Sequence, residues 1–219
     1  MRLLFATNNP GKKREIAALG EQFGIEVLML SDLGIESDPE ETGSTFEENA
    51  LLKVQDIIKL DSLPDDLWVA GDDSGAKILA LNGEPGVKTA RWAGEKLPVK
   101  EMTEFIIKKA AGLKGDDRRV EFISVVALSK KGLETQYFEG KVHGMILEKP
   151  RADLEPIEGF PWRQVFYRPD VDEMLGEQHD KNQDPNNYTH REKAFVKVFE
   201  HLGGNSPGTS EANEMYPAK

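Results

Sequence analysis

Two acids stand side by side in the run GDDSG, residues 71–75. Adjacent carboxylates are costly unless a cation or water compensates their charge, so Asp72 and Asp73 suggest a divalent metal with oxygen ligands. Asp-Ser-Gly is equally ordinary turn chemistry, and the run alone supports both readings. The acidic loop SDLGIESDPEETGS, residues 31–44, offers Glu40 or Glu41 as a further ligand, although most acidic loops are simply solvated. ATNNPGK, residues 6–12, has the opposite character. On a strand-to-helix turn, Thr7, Asn8 and Asn9 offer hydrogen bonds and Lys12 a positive charge, which suits a phosphate chain; the plain alternative is an Asn-Pro-Gly turn. Near the C-terminus Thr189, His190 and Arg191 open a helix, with a hydroxyl, an imidazole and a guanidinium at the positive end of its dipole. The stretch GFPWRQVF, residues 159–166, gathers Phe160, Trp162, Arg163 and Phe166, and reads as either a packing corner or a pocket wall.

Regular elements must hold these groups in place. RLLFA, residues 2–6, reads as a short buried strand, followed by a turn and the amphipathic run KREIAALGEQF; a second strand is expected over Ile25–Leu30. TFEE at 45–48 offers a capping box, which predicts a helix from about Phe46 to Leu60. On that helix Asn49, Lys53 and Asp56 form one polar stripe beside the apolar face, so Lys53 can reach a neighbouring cleft. Leu67–Ala70 reads as a strand, GDDSG as a tight turn, and AKILAL as a further strand ending at Asn82-Gly83. Pro98–Ala111 reads as a helix, VEFISVVAL (120–128) as a long buried strand, and LETQYFEGKVHG as its partner across Lys131-Gly132. Strands and helices interleave before strands pair locally, which argues a mixed α/β sheet. Residues 171–187 read as a polar loop and 188–202 as a helix.

A chain of 219 residues with 38% hydrophobic content can bury a sizeable core, expected here as one domain over 1–203 with a flexible tail over 204–219. The net charge of −11 disfavours general affinity for nucleic acid or anionic membranes, so any phosphate site must be local. With no cysteine, disulfide, thiol and Cys-zinc chemistry are excluded, and a reducing compartment is compatible. The apolar run in MRLLFATNNPGKK is too short for a signal peptide or a span, which sets a cytoplasmic expectation.

Taken together, ATNNPGKKREI, EETGSTFEENALLK, DDSGAKILALNGEPGVKTARWAG and THREKA resemble the inosine triphosphate pyrophosphatase family, in order and approximate spacing. The likeness is close to continuous through residue 94 and patchier to about 202. It implies a long mixed twisted sheet flanked by helices, two lobes around a central cleft, and a homodimer. It also implies Mg²⁺-dependent hydrolysis of a nucleoside triphosphate to the monophosphate and pyrophosphate. Carried onto this chain, Thr7, Asn8, Asn9, Lys12 and Lys53 would hold the triphosphate, Asp73 would be the central metal ligand and proton acceptor, and Glu40 the second metal carboxylate. Ser74, Arg91, His190 and Arg191 match substrate-contacting positions, and Phe160 and Trp162 match the base site.

The match breaks at the aromatic stretch, where the family carries Phe-Gly-Tyr/Trp-Asp-Pro and this chain has Pro161 for Gly, Arg163 for Asp and Gln164 for Pro. Arginine offers donors where aspartate offers acceptors, so the resemblance implies a base preference shifted from inosine and xanthosine. Lys181 precedes Thr189 by eight residues where the family places its lysine closer, which implies an enlarged loop. The alternative function is a catalytically weak nucleotide-binding or sensor protein of the same fold.

Overall fold

The computed structural model describes residues 1–180 and 187–204. Its strands are β1 (Arg2–Phe5), β2 (Glu26–Met29), β3 (Trp68–Ile78), β4 (Glu84–Gly86), β5 (Arg119–Ser129), β6 (Gln136–Ile146), β7 (Phe166–Arg168) and β8 (Glu173–Met174). Its helices are α1 (Pro10–Gln22), α2 (Phe46–Ile58), α3 (Val99–Lys109), α4 (Leu175–Asp180) and α5 (His190–His201). One open sheet runs in the order β2-β1-β3-β5-β6-β7-β8, with β4 also paired to β3. β1 is parallel to both β2 and β3, and the other pairings are antiparallel, so the sheet is mixed.

Helix starts follow local chemistry. Asn9 caps α1 by accepting from the Gly11 and Lys12 amides, and Thr45 and Thr189 each form a capping box with the glutamate three residues on. Each such cap contributes about 1 kcal/mol. The Asn82-Gly83 turn forms as expected, both residues left-handed, and returns the chain as β4.

Two elements differ from expectation. GDDSG lies in the middle of β3 rather than in a turn, because its glycines meet a steric demand of the fold. A Cβ on Gly71 would stand 2.8 Å from the Ala50 carbonyl oxygen, and one on Gly75 would stand 2.5 Å from both the Gly86 carbonyl oxygen and Thr89 Oγ1. Residues 171–187 are not wholly loop: β8 and α4 occupy 173–180, with Gly176 of α4 pressed against Arg163.

The core explains where a cleft arises. On one face of β3 and β5, Ala70, Val126 and Leu128 pack with Ile16, Leu19, Phe195 and Phe199 of α1 and α5. Farther along the same strands, Ala76, Ile78, Val120 and Phe122 pack with Met102 and Ile106 of α3 and with Trp162 and Val165. Between these apolar clusters the strands carry polar Asp72, Ser74 and Ser124, the last two directly paired. The opposite face of the sheet is covered by α2, whose Ala50, Val54 and Ile57 meet Val69 and Ala127.

Candidate active site

β1 pairs with β3 only as far as Phe5 against Ala70, and β4 joins the same edge only from Gly86 against Ala76. The edge from Gly71 to Gly75 therefore has no strand partner on that side, although buried backbone groups require partners. Side chains supply them. Lys53 Nζ donates to the Asp72 carbonyl at 2.7 Å, Asp73 Oδ1 accepts from the Ser74 amide at 2.9 Å, and Thr89 Oγ1 accepts from the Ala76 amide at 2.9 Å. A cavity of about 900 Å³ opens here, lined among others by Asn9, Lys12, Lys53, Asp73, Ser74, Phe160, His190 and Arg191.

Asp72 and Asp73 point to opposite faces because strand side chains alternate. Asp72 is buried and accepts from Lys12 Nζ at 2.9 and 3.1 Å and from Arg191 Nε at 2.9 Å. Arg191 continues to Glu15 Oε2 at 2.7 Å and Ser74 Oγ at 3.0 Å, and Thr189 Oγ1 donates to Glu15 Oε1 at 2.7 Å. Burial works against the Asp72 charge, but Lys12, Arg191 and Lys53 together hold its carboxyl well below the usual range. Burial likewise opposes the Arg191 charge, which Glu15 and Asp72 nevertheless stabilise. Lys12 is lowered, first by burial and then by Arg191 and Lys53, because it shares one carboxylate with other cations. Lys12 and Arg191 thus share Asp72, and a bound phosphate would give Lys12 a second anionic partner.

Asp73 lies on the α2 side. Asn49 Nδ2 donates to its Oδ2 at 2.9 Å, and each carboxylate oxygen keeps capacity for a further partner. Burial raises the Asp73 carboxyl above its ordinary value, with Glu41 and Asp72 adding to the rise while Lys53 and Asn49 oppose it. Lys53 Nζ also pairs with Glu41 Oε1 at 2.7 Å; burial opposes its charge, yet Asp72, Glu41 and Asp73 hold Lys53 above its ordinary value. Among the described residues no group of three or more acids or histidines is placed to hold a metal by itself. The Asp73 and Glu41 carboxylates fit a hard divalent cation of the Mg²⁺ type, which uses one or two carboxylates and completes its shell with phosphate and water.

The remaining expected site residues separate into three groups. Glu40 is exposed and off the cavity, which Glu41 lines instead. Thr7 accepts from the Asn9 amide, Asn8 donates to the Ser37 carbonyl, and Arg91 donates to the Glu41 carbonyl; none of the three lines the cavity. His190 lines it, buried against the Phe122 ring. Phe160 is half-buried on the wall, whereas Trp162 is 2% exposed, edge-on to Phe122 and parallel to Trp92, so its ring is packed within the wall. Arg163 lines the cavity, but its Nε donates to the Glu155 carbonyl at 3.0 Å and its Nη1 to the Gly176 carbonyl at 2.7 Å. Gln164 Nε2 reaches the Arg151 and Leu154 carbonyls. Two of the three residues that depart from the family pattern, Arg163 and Gln164, thus fasten neighbouring backbone. Phe166 packs on Phe122 as a core residue, and Lys181 lies outside the described residues.

Sequence reasoning missed Glu15 and gave Asn49 no role. Glu15 had a signal, since it lies one helical turn beyond Lys12 on the same face.

A family model described as the Ham1 family matches residues 3–201. A dITP/XTP pyrophosphatase of Thermoanaerobacter pseudethanolicus is 34% identical over 203 residues, covering 92% of this chain and 96% of that protein. One from Bacillus subtilis is 35% identical over 195 residues, covering 89% and 93%. Among solved structures, the Staphylococcus aureus Ham1 protein superposes with a TM-score of 0.74 at 32% identity, covering 93% of this chain and 98% of that one. A HAM1 protein from Coxiella burnetii gives 0.75 at 27% identity, with the same coverage.

Proposed function

This chain belongs to the Ham1 family, and from that premise we propose that it hydrolyses a nucleoside triphosphate to the monophosphate and pyrophosphate. The observation that carries the reading is the meeting, at the unpaired edge of β3, of Lys12, Lys53 and Arg191 with the Asp73 and Glu41 carboxylates in one cavity.

Phosphoryl transfer depends mostly on positioning and charge neutralisation. Lys12 and Lys53 receive the phosphate chain, and Arg191, held by Glu15 and Asp72, fixes the α5 end of the site. Asp73 and Glu41 would hold Mg²⁺, which when bound would supply charge neutralisation and polarise phosphate oxygens. Asp73 orients a water and accepts its proton, a task suited to a carboxyl raised by burial. The water oxygen bonds to the α-phosphorus, the bond from that phosphorus to the bridging oxygen breaks, and pyrophosphate leaves. Phe160 stacks on the base, with Trp162 bracing the wall behind it.

The base preference departs from that of the relatives named for dITP and XTP, because Arg163 presents no carboxylate to the base and is committed to the Glu155 and Gly176 carbonyls. The resemblance adds a homodimer to the proposal, and the short N-terminal apolar run a cytoplasmic location. No helix among the described residues is long and apolar enough to cross a membrane.

The test is a panel of canonical, deaminated and modified nucleoside triphosphates incubated with the protein and Mg²⁺, scoring pyrophosphate against orthophosphate. Pyrophosphate release from some members is expected. Orthophosphate alone would refute the cleavage position, and no turnover of any member would refute the activity.

A further inference from the structure

Asn49 is fully buried on α2, yet both ends of its amide are used toward the site. Its Nδ2 donates to Asp73 Oδ2 at 2.9 Å, and its Oδ1 accepts from the Gly43 amide at 2.8 Å. A backbone N–H can only donate and an ionised carboxylate can only accept, so these partners fix the amide orientation. Gly43 stands two residues beyond Glu41, and the loop presses on Asn49 so closely that a Cβ on Gly43 would lie 2.6 Å from Asn49 Oδ1. One turn farther along α2, Lys53 holds the Glu41 carboxylate itself at 2.7 Å.

We infer that Asn49 is a positioning residue that sets the separation of Asp73 and Glu41, joining the acidic loop to β3 through one side chain. The inference rests on the reading of those two carboxylates as a metal pair. Asp73 then has both oxygens oriented, one by the Ser74 amide and one by Asn49, before any ligand arrives. Partners that orient metal ligands in this way govern affinity for the ion without touching it. An asparagine that merely satisfied a loop amide would leave metal affinity unchanged when removed.

The deciding measurement is Mn²⁺ binding, followed by electron paramagnetic resonance of the free ion, in the presence of the non-hydrolysable inorganic analogue imidotriphosphate. Asn49→Ala should bind Mn²⁺ about 10- to 100-fold more weakly than the unaltered protein, with affinity for the analogue in the absence of metal unchanged. Gly43→Ala, whose Cβ would press on Asn49 Oδ1 and so disturbs the same link from the loop side, should weaken Mn²⁺ binding in the same direction, and it decides the question if Asn49→Ala does not fold. Wild-type Mn²⁺ affinity in the folded variants, accompanied only by a lower Tm, would overturn the inference. Because the readout requires no turnover, failure of the nucleotide panel leaves this result to stand or fall separately.

Discussion

The centre of β3 and the stretch 159–166 face one cavity but use their polar side chains in different ways. At β3 the polar side chains answer one another: Asp72 with Lys12 and Arg191, Lys53 with Glu41, Asp73 with Asn49. In 159–166 the polar groups answer the backbone, Arg163 on the Glu155 and Gly176 carbonyls and Gln164 on those of Arg151 and Leu154. A substitution in the first region changes charge where phosphate would bind. In the second it changes where a wall stands. The two regions should therefore fail differently, by turnover and stability in one and by substrate choice in the other.

The largest expected effect tests the first half of that contrast. Asp73→Asn removes the proposed proton acceptor and metal carboxylate while keeping the shape, so kcat should fall by about 10²- to 10⁴-fold. Since burial makes the Asp73 charge costly in the folded state, a neutral replacement should leave Tm equal or higher. Near-normal kcat in this variant would remove Asp73 from the mechanism.

Its neighbour should behave in the opposite sense. Asp72→Asn leaves Lys12 and Arg191 without their shared carboxylate, and breaking a buried pair of this kind costs about 3–5 kcal/mol of stability, measured by denaturant unfolding. The pH dependence carries the same signature. The folded-state Asp72 carboxyl is held below its unfolded value, so its contribution is present above the ordinary carboxylate range and is lost as pH falls through and below that range. Unaltered protein should consequently lose more Tm on acidification from about pH 5 to pH 2 than Asp72→Asn does. Equal slopes would show that Asp72 is not the acid-sensitive group.

These neighbours also show how much the sequence could say. Lys12, Lys53, Asp73 and Arg191, which the structure gathers around one cavity, were legible by type, because few side chains suit phosphate or metal, and the capping boxes at Thr45 and Thr189 located their helices. What was not legible was direction. GDDSG has the composition of a turn, and only the close approach of Ala50 and Gly86 shows why its glycines belong in a strand. Glu40 and Glu41 are chemically identical, and they are distinguished by the fold, which turns Glu41 to the cavity and to Lys53 and leaves Glu40 exposed. Arg163 looked like a base-reading donor because side-chain chemistry is visible in a sequence and the carbonyls it meets are not.

Arg163 supplies the next effect in size. Arg163→Lys retains charge but loses the planar fork that spans Glu155 and Gly176, which should cost about 1–3 kcal/mol of stability and raise KM more than it lowers kcat. Arg163→Asp should change the ratio of kcat/KM between deaminated and canonical triphosphates. An unchanged profile would mean that this position does not govern the base.

Gln164 gives the smallest effect and the sharpest separation of the two regions, because it lies outside the cavity lining and acts only through the loop. Gln164→Ala removes two hydrogen bonds to backbone carbonyls, and the net cost should be about 1–2 kcal/mol. If the wall selects the base by where its backbone stands, this loss should loosen discrimination between bases while kcat on the best substrate stays the same. If instead kcat falls in parallel for every nucleotide, residues 151–164 support the chemistry as well as the wall, and the contrast with β3 disappears. Measuring kcat/KM for each member of the nucleotide panel with this variant distinguishes the two outcomes.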